Sequence, residues 1–201
     1  MGFEVSIVLP KKVLILASGE GSVAQSLFDS VGEAGGALHG KIEIPLVITE
    51  NPAAGILRRA AESGIESRVI PFQSGEARAR WESDLSEAVA QVNPWIVVSA
   101  GFMKILSPAF VQRFRIINTH PSLLPLFPGA HAVRDALAAG VVESGCTLHY
   151  IDEGIDTGAI IAQRALEVLP GENESSLHER IKVLERELIV TGILTLLEEG
   201  N

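Results

Sequence analysis

An amide, an imidazole and a carboxylate are spaced so that they could do chemistry together: Asn118, His120 and Asp156. The first two lie in Asn118-Thr119-His120-Pro121-Ser122-Leu123-Leu124-Pro125, the third in Gly154-Ile155-Asp156-Thr157-Gly158. Such a set can move an acyl group onto an amine. The amide donates to the oxyanion that develops on the carbonyl, the imidazole carries a proton, and the carboxylate orients and charges the imidazole. Acyl transfer is therefore the most economical reading. Asn118 and His120 end an apolar stretch and precede a proline, so as alternate strand residues they face one side and can reach one substrate atom. Read singly, Asn118 could tie the following loop and His120 could be a satisfied half-buried histidine. Asp156 in its glycine-flanked loop makes the three a recognisable catalytic set.

A second segment, Gly19-Glu20-Gly21-Ser22-Val23-Ala24, fits the pattern G-x-G-x-x-A between a predicted strand and a predicted helix. With Glu50 ending the next strand as a ribose-binding acid, one reading is a dinucleotide site. Another phosphate is a second reading, because two glycines let backbone approach a ligand and free N–H groups at a helix start attract any phosphate. A structural turn is the third. Ser22 is the strongest side-chain contributor, whereas Glu20 is an unfavourable charge beside an anion.

The chain has 201 residues, 47% of them hydrophobic, which suits a self-sufficient globular fold. Its longest apolar runs, such as Val13 to Ala17 and Trp95 to Val98, fall far short of the roughly 20 residues that span a bilayer. Met1 to Pro10 carries Glu4 and no Lys or Arg, so it does not read as a secretory signal. It is an extension without an assignable role. Cys146 is the single cysteine, and the five histidines show no zinc-binding spacing, so a metal-free cytoplasmic protein is expected. The net charge of −9 opposes a large polyanion such as nucleic acid, but not a small anionic ligand met by a local cluster.

The elements that must position these residues alternate. Strands are predicted at Lys12–Ala17, Ile42–Ile48, Ser67–Pro71 and Pro94–Ser99, with helices at Val23–Val31, Ala53–Ser63 and Glu76–Val92. That order implies an α/β fold, an open and mostly parallel twisted sheet with helices on both faces and catalytic loops at the carboxyl ends of its strands. Phe102–Pro108 reads as loop, Pro108–Phe114 as a short helix, Arg115–Asn118 as a strand and Leu123–Gly129 as a proline-broken loop. Ala132–Ala139 is a predicted helix, Cys146–Ile151 and Ala159–Glu167 are added strands, and Ser175–Glu199 is a long terminal helix. No linker interrupts the chain, so residues 1–201 are expected to form one domain, with a phosphate-binding half over 12–110 and a catalytic half over 111–201.

The segments Ala17–Ser22, Ala100–Pro108, Asn118–Pro125, Phe127–Gly129 and Gly145–Gly158 together resemble, in order, the motif series of the phosphoribosylglycinamide formyltransferase family. The likeness runs from Lys12 to about Leu197. It implies the Rossmann-like formyltransferase fold and transfer of a formyl group from 10-formyltetrahydrofolate to the amine of glycinamide ribonucleotide, in purine synthesis. It further implies a folate site formed by Met103, Lys104, Ile105 and Leu106, with Arg78, Asn118, Ile151, Asp152 and Asp156, the 151–156 loop closing over the pterin. The substrate phosphate would lie on the backbone amides of Gly21, Ser22 and Val23, with Lys182 and Glu185 at the ribose end; Arg78 and Lys182 also read as ordinary solvated helix charges. The family usually carries Asn at the positions of Glu20 and Val23 and a Lys or Arg at Leu126, which bears on the identity of the amine.

In the expected reaction the amine attacks the formyl carbon directly. Asn118 and protonated His120 hold the oxyanion while Asp156 relays the amine's proton to the departing folate nitrogen. Cys146, inside a strand with no adjacent base, takes no part. Related readings are a formyltransferase acting on a sugar amine or on initiator methionyl-tRNA, a formyltetrahydrofolate hydrolase, and a nicotinamide enzyme or silent binding module using only the glycine loop. A homodimer is left open.

Overall fold

The computed structural model describes residues 9–72, 74–75 and 77–200. Most of the extension read at Met1–Pro10 lies outside the described residues, as does Glu76, the expected start of the third helix.

Thirteen elements follow in the order β1 (Lys11–Leu16), α1 (Ser22–Gly32), β2 (Ile42–Thr49), α2 (Ile56–Glu62), β3 (Ser67–Val69), α3 (Ala77–Val92), β4 (Ile96–Ser99), α4 (Pro108–Arg113), β5 (Ile116–His120), α5 (Ala132–Ala138), β6 (Glu143–Tyr150), β7 (Ile160–Glu167) and α6 (Glu174–Glu199). They build one seven-stranded sheet in the order β3-β2-β1-β4-β5-β6-β7. Pairing from β3 through to β5 is parallel, whereas β6 runs antiparallel to both β5 and β7.

Alternation along β1 shows why both faces are covered. Val13 and Ile15 pack with Leu27 of α1 and Leu188 of α6, while Leu14 and Leu16 pack with Trp81 and Leu85 of α3 and Phe110 of α4. All four strand residues are fully buried. A parallel strand covered on both sides reads as a continuous apolar run, which is what Val13 to Ala17 is.

Two departures from the predicted boundaries have local causes. The helix expected at Ala53–Ser63 starts only at Ile56, because Asn51 Oδ1 accepts from the Ala53 amide at 3.0 Å and Asn51 O from the Ala54 amide at 3.1 Å. Those bonds make an Asx turn around Pro52 instead of a first helical turn. The strand expected to end at Asn118 continues to His120, since Asn118, Thr119 and His120 find ladder partners in His149, Leu148 and Thr147 of β6.

The last helix crosses β6 closely. A Cβ placed on Gly192 would lie 2.1 Å from Leu148 Cδ2, so the glycine is what admits the fully buried leucine. Gly192→Val is expected to destabilise the fold by about 1–3 kcal/mol through overpacking. Thermal melting checks this, and an unchanged midpoint would contradict the close crossing.

Candidate active site

Asp156 adopts the left-handed conformation, φ 55°, in the loop between β6 and β7. A non-glycine residue in that region is uncommon and is held by its surroundings. Asp152 braces the loop from within, its Oδ1 accepting from the Gly154 amide at 3.0 Å and from Thr157 Oγ1 at 2.8 Å. The loop folds back so that the Asp156 carboxylate meets the end of β5. Oδ2 accepts from the Gly129 amide at 2.8 Å and lies 3.4 Å from His120 Nδ1, and Oδ1 lies 3.6 Å from His149 Nε2.

The two imidazoles around this carboxylate are held differently. His149 donates from Nδ1 to the Tyr150 carbonyl at 2.8 Å, which leaves Nε2 to accept from Asn118 Nδ2 at 3.3 Å. Burial lowers the His149 pKa from its ordinary value, outweighing the Tyr150 carbonyl and the Asp156 charge that favour the proton. His149 is therefore a neutral acceptor that aims the Asn118 amide. His120 donates from Nε2 to the Phe127 carbonyl at 2.9 Å and turns Nδ1 to Asp156.

Asn118 and His149 are cross-strand partners on β5 and β6, and both line a pocket of about 160 Å³. Its opposite wall comes from Phe102, Lys104, Ile105 and Leu106, and the stretch from Ile151 to Asp156 closes it. The structure thus gathers Asn118, Asp156, Ile151, Asp152 and the 104–106 stretch around one space. His120 stands outside that lining, only 5% exposed. Met103 is also outside it, 72% exposed, with its amide donating to Ser18 Oγ at 2.7 Å. Arg78 does not line the pocket but donates from Nη2 to the Ile105 carbonyl of its wall at 2.6 Å.

The glycine loop rests on the start of α2. Gly19 O accepts from the Ile56 amide at 3.1 Å and Glu20 O from Arg59 Nε at 2.7 Å. Gly21 has φ 72°, and a Cβ there would lie 2.4 Å from Ile56 Cδ1, so this position needs glycine for both reasons. The Glu20 carboxylate folds against Gly55, within 2.5 Å of where a Cβ would stand, rather than over the start of α1. Val23 is buried in the core.

Ser22 lines a larger groove of about 780 Å³ together with Arg59, and with Val183 and Arg186 of α6. Among the described residues no histidine and no part of the Asp156 cluster lines it; Asn118, His149 and Asp156 line the smaller pocket, which is the candidate site. Lys182 pairs with Glu179 at 2.8 Å. Glu185 turns inward, where burial raises its pKa to about 7 against a hydrogen bond from Thr119, the residue between Asn118 and His120. Cys146 is fully buried, and burial followed by the Glu185 charge pushes its thiol up to about 12, so it is no nucleophile at neutral pH. Glu50, offered by the glycine pattern as a ribose acid, is buried and paired with Lys104 at 3.8 Å.

His149 is the main site residue that sequence reasoning missed. A signal was present in the predicted strand Cys146–Ile151, but only its antiparallel register with β5 sets His149 opposite Asn118.

A mostly parallel α/β sheet with an amide, two imidazoles and a carboxylate at its strand ends defines an acyl-transferase class of site. Residues 11–193 match the formyl transferase family, and the chain belongs to it. It is 44% identical over 193 residues to phosphoribosylglycinamide formyltransferase of Mycobacterium tuberculosis, covering 95% of this chain and 87% of that protein. It is also 37% identical over 199 residues to human trifunctional purine biosynthetic protein adenosine-3, where the match covers 94% of this chain and 19% of that longer protein. Among solved structures, phosphoribosylglycinamide formyltransferase from Bacillus halodurans superposes with a TM-score of 0.87 at 33% identity, covering 95% of this chain and 97% of that one. Glycinamide ribonucleotide transformylase 1 from Geobacillus kaustophilus gives 0.84 at 35% identity over 94% and 99%.

The inward Glu185 has a pH signature. Its folded pKa of about 7 exceeds the ordinary 4.5, so the folded state holds the proton more tightly and the contribution is fully present below 4.5. It is lost as pH rises from 4.5 through about 7. Glu185→Gln is expected to gain stability relative to the parent protein across that window, as measured by urea unfolding at several pH values. Parallel profiles for the two proteins would contradict it.

Proposed function

We propose that this chain transfers the formyl group of 10-formyltetrahydrofolate to the primary amine of glycinamide ribonucleotide, giving formylglycinamide ribonucleotide on the route to purines. The observation that carries the reading is the Asp156 carboxylate, held by the Gly129 amide and facing His120 and His149 beside the Asn118 amide, in a chain of the formyl transferase family.

The pterin end of the folate occupies the pocket between Lys104–Leu106 and Ile151–Asp156. At about 160 Å³ the pocket is smaller than a site for a whole drug-sized ligand, so the rest of the molecule runs out along exposed Met103 and Ile105. Arg78 serves the same wall. The phosphate of the ribonucleotide lies on the amides of Gly21, Ser22 and Val23, with Lys182 and Glu185 towards the ribose. Ser22 and Val183, next to Lys182, share one groove, which supports that placement. The Glu20 carboxylate folds onto Gly55 and the Val23 side chain lies in the core, which supports leaving the backbone amides at the start of α1 to the phosphate.

The amine nitrogen attacks the formyl carbon, and the formyl oxygen becomes an oxyanion. Asn118 Nδ2 and the protonated His120 donate to it; His120 exchanges the Phe127 carbonyl for a charged and stronger acceptor. Asp156 stabilises the imidazolium and, through water, conveys the proton lost by the amine to the folate nitrogen as the carbon–nitrogen bond breaks. The folate site draws on both the 12–110 and the 111–201 halves, catalysis on the second. A cytoplasmic enzyme that uses folate as cosubstrate and no metal completes the proposal. Sedimentation decides between a monomer and a homodimer.

His120→Ala or Asp156→Asn is expected to lower kcat by at least about 10²-fold, the scale of a lost acid–base or oxyanion contact. Folic acid should still bind, because both groups act on charge that exists only during transfer. The assay pairs 10-formyltetrahydrofolate with glycinamide ribonucleotide and includes a no-amine control. Undiminished turnover in either variant, or formyl loss without the amine, contradicts the reading.

A further inference from the structure

Glu50 directly follows β2 and has no part in the chemistry above. Its side chain is 7% exposed, its Oε1 stands 3.8 Å from Lys104 Nζ, and its Oε2 has no hydrogen-bond partner among the described residues. A buried carboxylate with one oxygen unsatisfied is costly to keep. It also depends heavily on the cation beside it.

Lys104 is held on a second side. Its Nζ lies 4.6 Å from the centre of the Phe72 ring, and Phe72 packs edge-on against Trp81 at 4.9 Å. Only 29% of the Lys104 side chain is exposed. The ammonium is thus fixed between the carboxylate that follows β2 and an aromatic face. Lys104, Ile105 and Leu106 form the wall of the 160 Å³ pocket, and Arg78 fastens the next carbonyl along, that of Ile105.

We infer that Glu50 is a positioning residue: through Lys104 it fixes the backbone of residues 104–106 in the shape that receives the folate ring. The inference rests on the reading of that pocket as the folate site. Glu50 does not line the pocket itself, so its effect passes through Lys104. Removing one partner of such a pair leaves the other charge uncompensated, so the loop that carries Lys104 loses what holds it.

The test compares Glu50→Gln, Lys104→Met and the double variant with the parent chain, by folic acid titration, by KM and kcat for both substrates, and by melting. Glu50→Gln is expected to weaken folic acid binding and raise the folate KM by roughly fivefold to twentyfold, the scale of a direct pairwise coupling. The amine KM and kcat at saturating folate stay within about twofold, a split that general loosening of the fold does not produce. The double variant should bind folic acid no more weakly than the weaker single variant. Parent-like affinity in Glu50→Gln, or additive losses in the double variant, overturns the inference while leaving the folate site intact. If the parent chain itself fails to bind folic acid, the reading of the pocket falls and the inference with it. Should Glu50→Gln fail to fold, Glu50→Asp keeps the charge but withdraws it from Lys104, and parent-like affinity there is equally contrary.

Discussion

The site depends on one strained residue. Asp156, at φ 55°, projects a carboxylate that simultaneously accepts from the Gly129 amide and faces His120 and His149. Without that turn, the loop after β6, the loop after β5 and the facing side chains of β5 and β6 would share no common partner. Backbone strain of this kind costs on the order of 1–3 kcal/mol and persists only where the surroundings over-determine it. Here the Asp152 bonds to Gly154 and Thr157 supply the constraint from inside the loop, and the Gly129 amide supplies it from outside.

The sheet explains why chemistry and binding converge. Parallel pairing from β3 to β5 brings the loops that follow β1, β2, β4 and β5 to one edge, so the glycine loop, Glu50, the 104–106 wall and His120 become neighbours despite their separation in sequence. The reversal at β6 adds what a parallel sheet lacks. It sets His149 beside Asn118 in direct register, where a neutral imidazole acceptor orients the amide donor. Behind β5, α6 packs against the strand and turns the buried Glu185 towards it, so the long helix supports β5.

The sequence shows most of the architecture because its signals are local. Apolar runs bounded by Gly, Pro and Ser mark the strands, and the Asn118, His120 and Asp156 set is recognisable from residue type. Long-range register was hidden. The partnership of Asn118 with His149 requires knowing that β6 is antiparallel to β5, and the pairing of Glu50 with Lys104 requires two strand ends to meet. The start of α2 departs from its helical spacing for a local reason instead: the Asn51 side chain caps a turn that overrides the helix at Ala53. Glu20, read as a hindrance to an anion, folds its carboxylate against Gly55 at the start of α2.

A double-mutant cycle on turnover between His120 and Asp156 tests the central claim most directly, because it asks whether the carboxylate works through the imidazole. If the two act as one proton-carrying unit, His120→Ala combined with Asp156→Asn should be no slower than the slower single variant, the strong non-additivity expected of residues that function together. Losses that multiply, each variant subtracting its own increment from the barrier, would show two independent roles and contradict the account.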